Sequence, residues 1–214
     1  MSANKGQQTP FTSNSDLNTY LFIASQVLNR ANTATLVKVV SVTNSGGLVA
    51  AGSVDVHPLV NQLDGQNNAI PHGTIHRLPY FRLQGGSNAI ILDPQVGDIG
   101  IAVFADHDIS SVVATKAQAN PGSKRRFDMA DGLYLGGFLN GVPTQYFQFN
   151  ASGISVVSNT KITLQAPDIE IIGPVNQSGG DVIVATDVKA AGVSLKTHVH
   201  SGVTSGVSNT GAPV

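Results

Sequence analysis

The 214-residue chain carries a net charge of −1, no cysteine, 23 glycines and only 12% charged residues, about half the usual quarter. This near-neutral balance excludes a strong global field for nucleic acid or anionic lipid. The lack of cysteine excludes a disulfide scaffold and a thiolate zinc site.

Few charges, many Gly, Ser, Asn and Val, and little Glu, Lys or Leu point to an all-β fold. The opening stretch "MSANKGQQTPFTSNSD" has one lysine and no apolar core behind it, so no secretory leader is expected. No run approaches the roughly 20 apolar residues of a spanning helix. Residues 1–14 read as an arm, disordered or ordered by a partner. In "SDLNTYLFIASQVLNRA", Leu17, Tyr20, Leu21, Ala24, Val27 and Leu28 recur at helical spacing, with Ser15 or Asn14 as N-cap and Asp16 in the first turn. This helix, closing a segment 1–30, is expected to pack on its own domain; a subunit or partner contact is the alternative.

From Thr33 the pattern becomes strand-like. "TATLVKVVSV", "LVAAGSVDVHPLV", "IHRLPYFRL", "NAIILD" and "IGIAVFAD" are separated by the turn clusters "TNSGG", "NQLDGQNN", "QGGS" and "DPQVGD". Five short strands in one stretch, residues 31–115, predict a small barrel of the OB type. "DHDISSVVATKAQA" reads as either a short capped helix or a last strand. Residues 116–150, with "NPGSKRRFDMADGLYLGGFLNGVP", read as a loop-rich connector.

After Gln145 apolar-x-apolar triplets appear: Ile154/Val156, Ile162/Leu164, Ile169/Ile171, Val182/Val184 and Val193/Leu195. Each is a strand too short to stand alone, with one apolar face to cover. Stacking such units makes a solenoid. The short period favours three chains winding together, a trimeric β-helix shaft over residues 151–196, followed by an apex at 197–214.

The apex contains "SLKTHVHSGV". His198 and His200 stand two apart, so on a strand they point the same way, with Cα atoms about 6.6 Å apart. One pair is a poor metal site, but three copies about a threefold axis offer six nitrogens. Imidazole suits Fe, Zn, Ni and Cu, and six nitrogens argue against tetrahedral zinc. An exposed tail with two incidental histidines is the bland alternative. Leu195 and His198 have opposite parity, which predicts a turn or bulge near Lys196–Thr197.

Weaker candidates are expected on the surface. His72 and His76 are four apart, but Pro71 and Gly73 disfavour a helical site. Asp106-His107-Asp108 reads as a turn with Asp capping the next segment. Lys124-Arg125-Arg126 reads as a solvated basic run, or alternatively as a contact for an acidic partner ring. No G-x-S-x-G, H-E-x-x-H or phosphate-binding loop is present, so no catalytic residue is assigned and no enzyme is expected.

The stretch Leu78 to Ser110, "LPYFRLQGGSNAIILDPQVGDIGIAVFADHDIS", the connector "KRRFDMADGLYLGG" and the C-terminal "THVHSGV" resemble the central baseplate spike proteins of contractile-tailed bacteriophages. The resemblance spans roughly residues 30–205, and "DPQVGDIG" and "HVHSGV" are its most specific parts. It implies an N-terminal OB-fold, an intertwined trimeric β-helix and a pointed metal-bound tip. His198 and His200 of each chain would hold one structural iron ion per trimer. It implies a homotrimer at the tail tip, assembled in the host cytoplasm. The trimer would dock on the baseplate hub beneath the tail tube and transiently pierce the host outer membrane.

Three rival readings bear on the same residues. A trimeric tailspike that degrades polysaccharide or binds a receptor would need paired carboxylates, and the shaft offers only Asp168, Glu170, Asp181 and Asp187. The spike of a contractile secretion machine would share most features. A single-strand nucleic-acid barrel would need a basic, aromatic groove, and 12 basic against 13 acidic residues provide no surplus.

Overall fold

The computed structural model describes residues 10–44, 47–202, 204 and 206–207. Most of the expected arm and the last residues of the expected apex lie outside the described residues. Two compact units divide at Val157 and Ser158, and each is described by itself.

In the first unit, helix α1 (Asp16–Leu28) starts where the sequence predicts. Ser15 is extended, and its side chain accepts a hydrogen bond from the Asn18 amide at 3.2 Å, satisfying one orphan donor of the first turn. A 3-10 turn, Pro10–Ser13, precedes it and packs against it. No residue of α1 is buried. This differs from the expectation that it packs on its own domain: among the described residues, none of its apolar side chains is buried.

The strands β1 (Ala34–Val42), β2 (Ser53–Pro58), β3 (Gln62–Leu63), β4 (Ala69–Ile70), β5 (Ile75–Pro79), β6 (Leu83–Gly85), β7 (Asn88–Ile90), β8 (Ile99–Phe104) and β9 (Gly132–Gly137) come next, with helix α2 (Ser110–Thr115) between β8 and β9. Five of them form one sheet in the order β5-β2-β1-β8-β9, every neighbouring pair antiparallel. Strict alternation drives this. In β2, Val54, Val56 and Pro58 point inward while Ser53, Asp55 and His57 are partly exposed, the period of two that a half-buried strand requires. The sheet curls until its edges touch. Tyr80, just after β5, makes a parallel bridge to Tyr134 of β9, and the Phe81 amide donates to the Tyr134 carbonyl at 2.7 Å. Val37, Val39, Val54, Val56, Leu78, Ala102 and Tyr134 fill the interior.

Two strand assignments differ from the sequence reading. "NAIILD" adds nothing to the sheet; its first part pairs locally with β6 as a two-stranded ribbon. The positive φ of Gly86 closes that hairpin over the shortest loop, and Ile90 stays 63% exposed. The fifth strand is instead β9, "GLYLGG", from the stretch read as connector. Its glycines suggested a loop, yet a Cβ on Gly132 would press on the Leu78 and Phe104 side chains, and the facing strand β8 needs a glycine too. A Cβ on Gly100 would collide with the Tyr134 ring and the Gly136 carbonyl. Gly136, at φ 127°, sits where the β8–β9 register slips, a bulge that an L side chain tolerates poorly. The ambiguous "DHDISSVVATKAQA" is resolved as helix α2, which ends in a left-handed Lys116.

A last hairpin of this unit joins β10 (Tyr146–Asn150) to β11 (Gly153–Val157). Asn150 holds the turn by accepting from the Ser152 amide at 2.9 Å. Thus the triplet Ile154/Val156 does lie on a strand.

The second unit, residues 158–214, is different. Among the described residues, its strands are only β12 (Lys189–Ala190) and β13 (Val193–Ser194), a short antiparallel hairpin. Ile162, Leu164, Ile169 and Ile171 are each about half exposed or more and belong to no strand. Among the described residues, no strand pairs with them. Among the described residues no helix is long and apolar enough to cross a membrane.

Candidate metal-binding apex

The β12–β13 hairpin is the platform. Lys189 pairs with Ser194 and Ala190 with Val193, leaving Ala191 and Gly192 as a two-residue loop. Both have positive φ, 48° and 86°, as a primed turn requires. Asp187 ties the hairpin's base, accepting from the Lys196 amide at 3.1 Å. Its carboxyl is held below the usual value first by a hydrogen bond from the Ser194 hydroxyl and then by the Lys196 and Val188 amides. Ser194 is the hub: its Oγ accepts from the Thr197 amide at 2.9 Å, and its carbonyl accepts from the His198 amide at 3.1 Å.

These bonds wrap residues 195–197 into a turn, where the parity argument requires one. Leu195 and His198 are thereby uncoupled from a single strand's alternation. His198 Nδ1 lies 3.0 Å from the Ser194 carbonyl and 3.1 Å from the Leu195 carbonyl. Carbonyl oxygen only accepts, so Nδ1 carries the proton. In the neutral ring the lone pair then sits on Nε2. A backbone carbonyl on the far nitrogen is the usual way a ligating histidine is oriented. His200 follows two residues on, and the ring centroids are 5.1 Å apart at 76°. Both histidines are exposed.

The donor set fits part of a nitrogen-ligated metal site. One chain cannot complete it: among the described residues no group of three or more His, Cys, Asp or Glu is placed to hold an ion. Only copies of the pair would supply the remaining nitrogens.

The other candidates are structural. His76 Nδ1 is 3.0 Å from Asp55 on the surface, and His72 is half-buried. His107 meets Asp106 at 2.7 Å, both exposed. Asp108, however, is buried rather than on the surface. It accepts from the Ser110 amide at 2.9 Å and the Ser123 hydroxyl at 2.7 Å. Hydrogen bonds from Ser110 and Ser123, together with the nearby Arg125 cation, hold its carboxyl far below the ordinary range.

Arg125 corrects the reading of the basic run. Its guanidinium forks onto buried Asp131, Nε at 3.1 Å and Nη2 at 3.0 Å, and reaches Asp108 at 3.0 Å. It is a strut on two buried carboxylates with its own side chain 42% exposed, while Arg126 lies over the Phe127 ring. A second buried pair escaped sequence reading altogether. Arg82 and Asp93 meet at 2.6 Å with side chains only 4% and 2% exposed. Eleven residues separate them across the β6–β7 hairpin, and no local motif announces the contact.

Of the shaft carboxylates, Asp187 is occupied at the hairpin base, and Asp168, Glu170 and Asp181 are exposed. Among the described residues, none is placed in a group of three or more with other His, Asp or Glu.

No curated protein matches the chain. Residues 192–214 match the family model of the GpV Apex motif. The match begins at the hairpin loop and includes both histidines. The C-terminal segment is therefore similar to the apex of a phage baseplate spike, as the sequence resemblance implied.

Proposed function

We propose that this chain is the central spike at the tip of a contractile phage tail. Three copies form an OB-type collar, a wound β-helical shaft and a metal-pinned point. The observation that carries this reading is the apex match at residues 192–214, which follows the triplets Ile162/Leu164 and Ile169/Ile171, exposed and outside any strand among the described residues. The collar reading is supported by the curled five-stranded antiparallel sheet whose edges meet in a parallel bridge, the form of a partly open Greek-key barrel.

The mechanism is mechanical. Ile162, Leu164, Ile169 and Ile171 of three chains bury one another along the axis, at about 25 cal/mol per Å² of apolar surface removed from water. Interchain backbone pairing makes the shaft stiff along its length. At the tip too little apolar surface remains to hold three chain ends. There His198 and His200 of each chain would hold a metal ion, iron by the family resemblance, and when bound it would cross-link the chain ends. With its donors all supplied by the protein, the ion would serve a structural role. The Asp187–Ser194 lock fixes the turn that aims His198. The collar docks on the baseplate hub, and contraction drives the point through the host outer membrane.

The test is native mass together with metal content on the same purified sample. Three chains per transition-metal ion is expected. His198→Ala and His200→Ala should each remove three of the six ligands and most of the metal, while trimers persist. Wild-type trimers without metal, when cells grow with metals available, sink the site. A compact wild-type monomer sinks the architecture.

A further inference from the structure

Helix α1 needs an occupant for its exposed face. Phe11 just before it and Leu17, Tyr20, Leu21, Val27 and Leu28 within it are each 57% or more exposed, yet the helix is well formed and capped at Ser15. A 13-residue helix is marginal alone in water; something outside this chain's described fold must cover it. We infer that the three α1 helices of the trimer pack on one another about the threefold axis, forming a helical clasp at the N-terminal side of the assembly. The inference rests on the trimeric reading of the shaft and goes beyond it.

Three observations favour a second copy as the occupant. Leu17, Tyr20, Ala24 and Val27 recur at spacings of three, four and three, the a/d seam of a coiled coil over two heptads. The polar positions Asn18, Thr19, Ser25 and Gln26 gather on one strip away from that seam. Between Asp16 and Arg30 there is no charged side chain. Around a threefold axis every charge meets its own copy, and like charges repel, so an uncharged segment is what homotypic packing tolerates. The absence of cations also disfavours a membrane surface, whose interfacial helices carry Lys and Arg on the polar face. Finally, Leu17, Tyr20, Leu21, Val27 and Leu28 present roughly 600 Å² on and beside the seam, the per-partner area at the low end of a specific interface.

The cysteine-free chain gives a direct test. Ala24→Cys places one thiol on the seam; Ser25→Cys places one on the polar strip. Both positions are exposed, so neither variant disturbs a buried core. Full-length protein is oxidised mildly, and its native mass is measured on the same sample. A disulfide needs Cα atoms within about 7 Å. Ala24→Cys should therefore link up to roughly two-thirds of the chains into covalent pairs, since each trimer holds three thiols. Ser25→Cys should link several-fold fewer. A trimer that forms no Ala24 link, or links both positions equally, overturns the clasp alone and leaves the face to a different protein. A monomeric mass overturns the trimeric reading beneath it.

Discussion

The barrel and the segment after Val157 use the same residue types to opposite ends. In the barrel, Val37, Val54, Val56 and Leu78 are 0% exposed. In the second unit, Ile162, Ile169 and Ile171 are 50%, 49% and 66% exposed, although they too stand at alternating positions. The barrel's strands are five to nine residues long, and each finds an antiparallel neighbour in the same chain. The triplets are too short and too widely punctuated to turn back on themselves. Alternation alone therefore specifies a face to be buried, not the chain that buries it. That is the physical difference between a segment that completes its own core and one that, on the proposed reading, needs two further copies.

This contrast can be broken most severely at the shaft. In the proposed trimer, Ile162→Asp repeats one carboxylate three times near the axis, where unpaired charge is costly. Trimers should disappear from native mass spectra, while the barrel keeps its strand signal in circular dichroism. Survival of trimers would mean that the triplets do not face one another.

A smaller effect is expected in the collar. Leu78→Ala empties part of a fully packed site and should cost about 2–5 kcal/mol of barrel stability. Thermal unfolding should show the barrel transition lowered with the trimer intact; loss of both together would argue that the two units unfold as one.

The smallest effect separates the strut from both cores. The Asp108 carboxyl is held below its ordinary value of 3.8, so the folded state binds that proton later than the unfolded chain does. Its contribution is complete above about pH 4 and fades as pH falls towards the folded value. Asp108→Asn imitates the protonated group at neutral pH. Trypsin should then cut after Lys124, Arg125 or Arg126 several-fold faster, with barrel melting nearly unchanged. Equal cutting rates would show that Arg125–Asp131 alone holds the loop.

Much of this was readable in one dimension. The helix start at Ser15, the inward valines of β1 and β2, the H-x-H pair and the turn between Leu195 and His198 all stem from short-range rules: capping, period two and parity. Such features depend on residues within a few positions of one another. Other features depended on contacts that close only in space. The strand "GLYLGG" joins the sheet because Gly100 leaves room for the Tyr134 ring and the Gly136 carbonyl, a fit between segments more than thirty residues apart. The pairs Arg82–Asp93 and Arg125–Asp131 are likewise made by the fold, since burial turns ordinary surface residue types into partners. The uncovered state of α1 was also undecidable from its periodicity. An amphipathic pattern records that one side avoids water, and only the tertiary structure shows that the core of the curled sheet includes no residue of that helix.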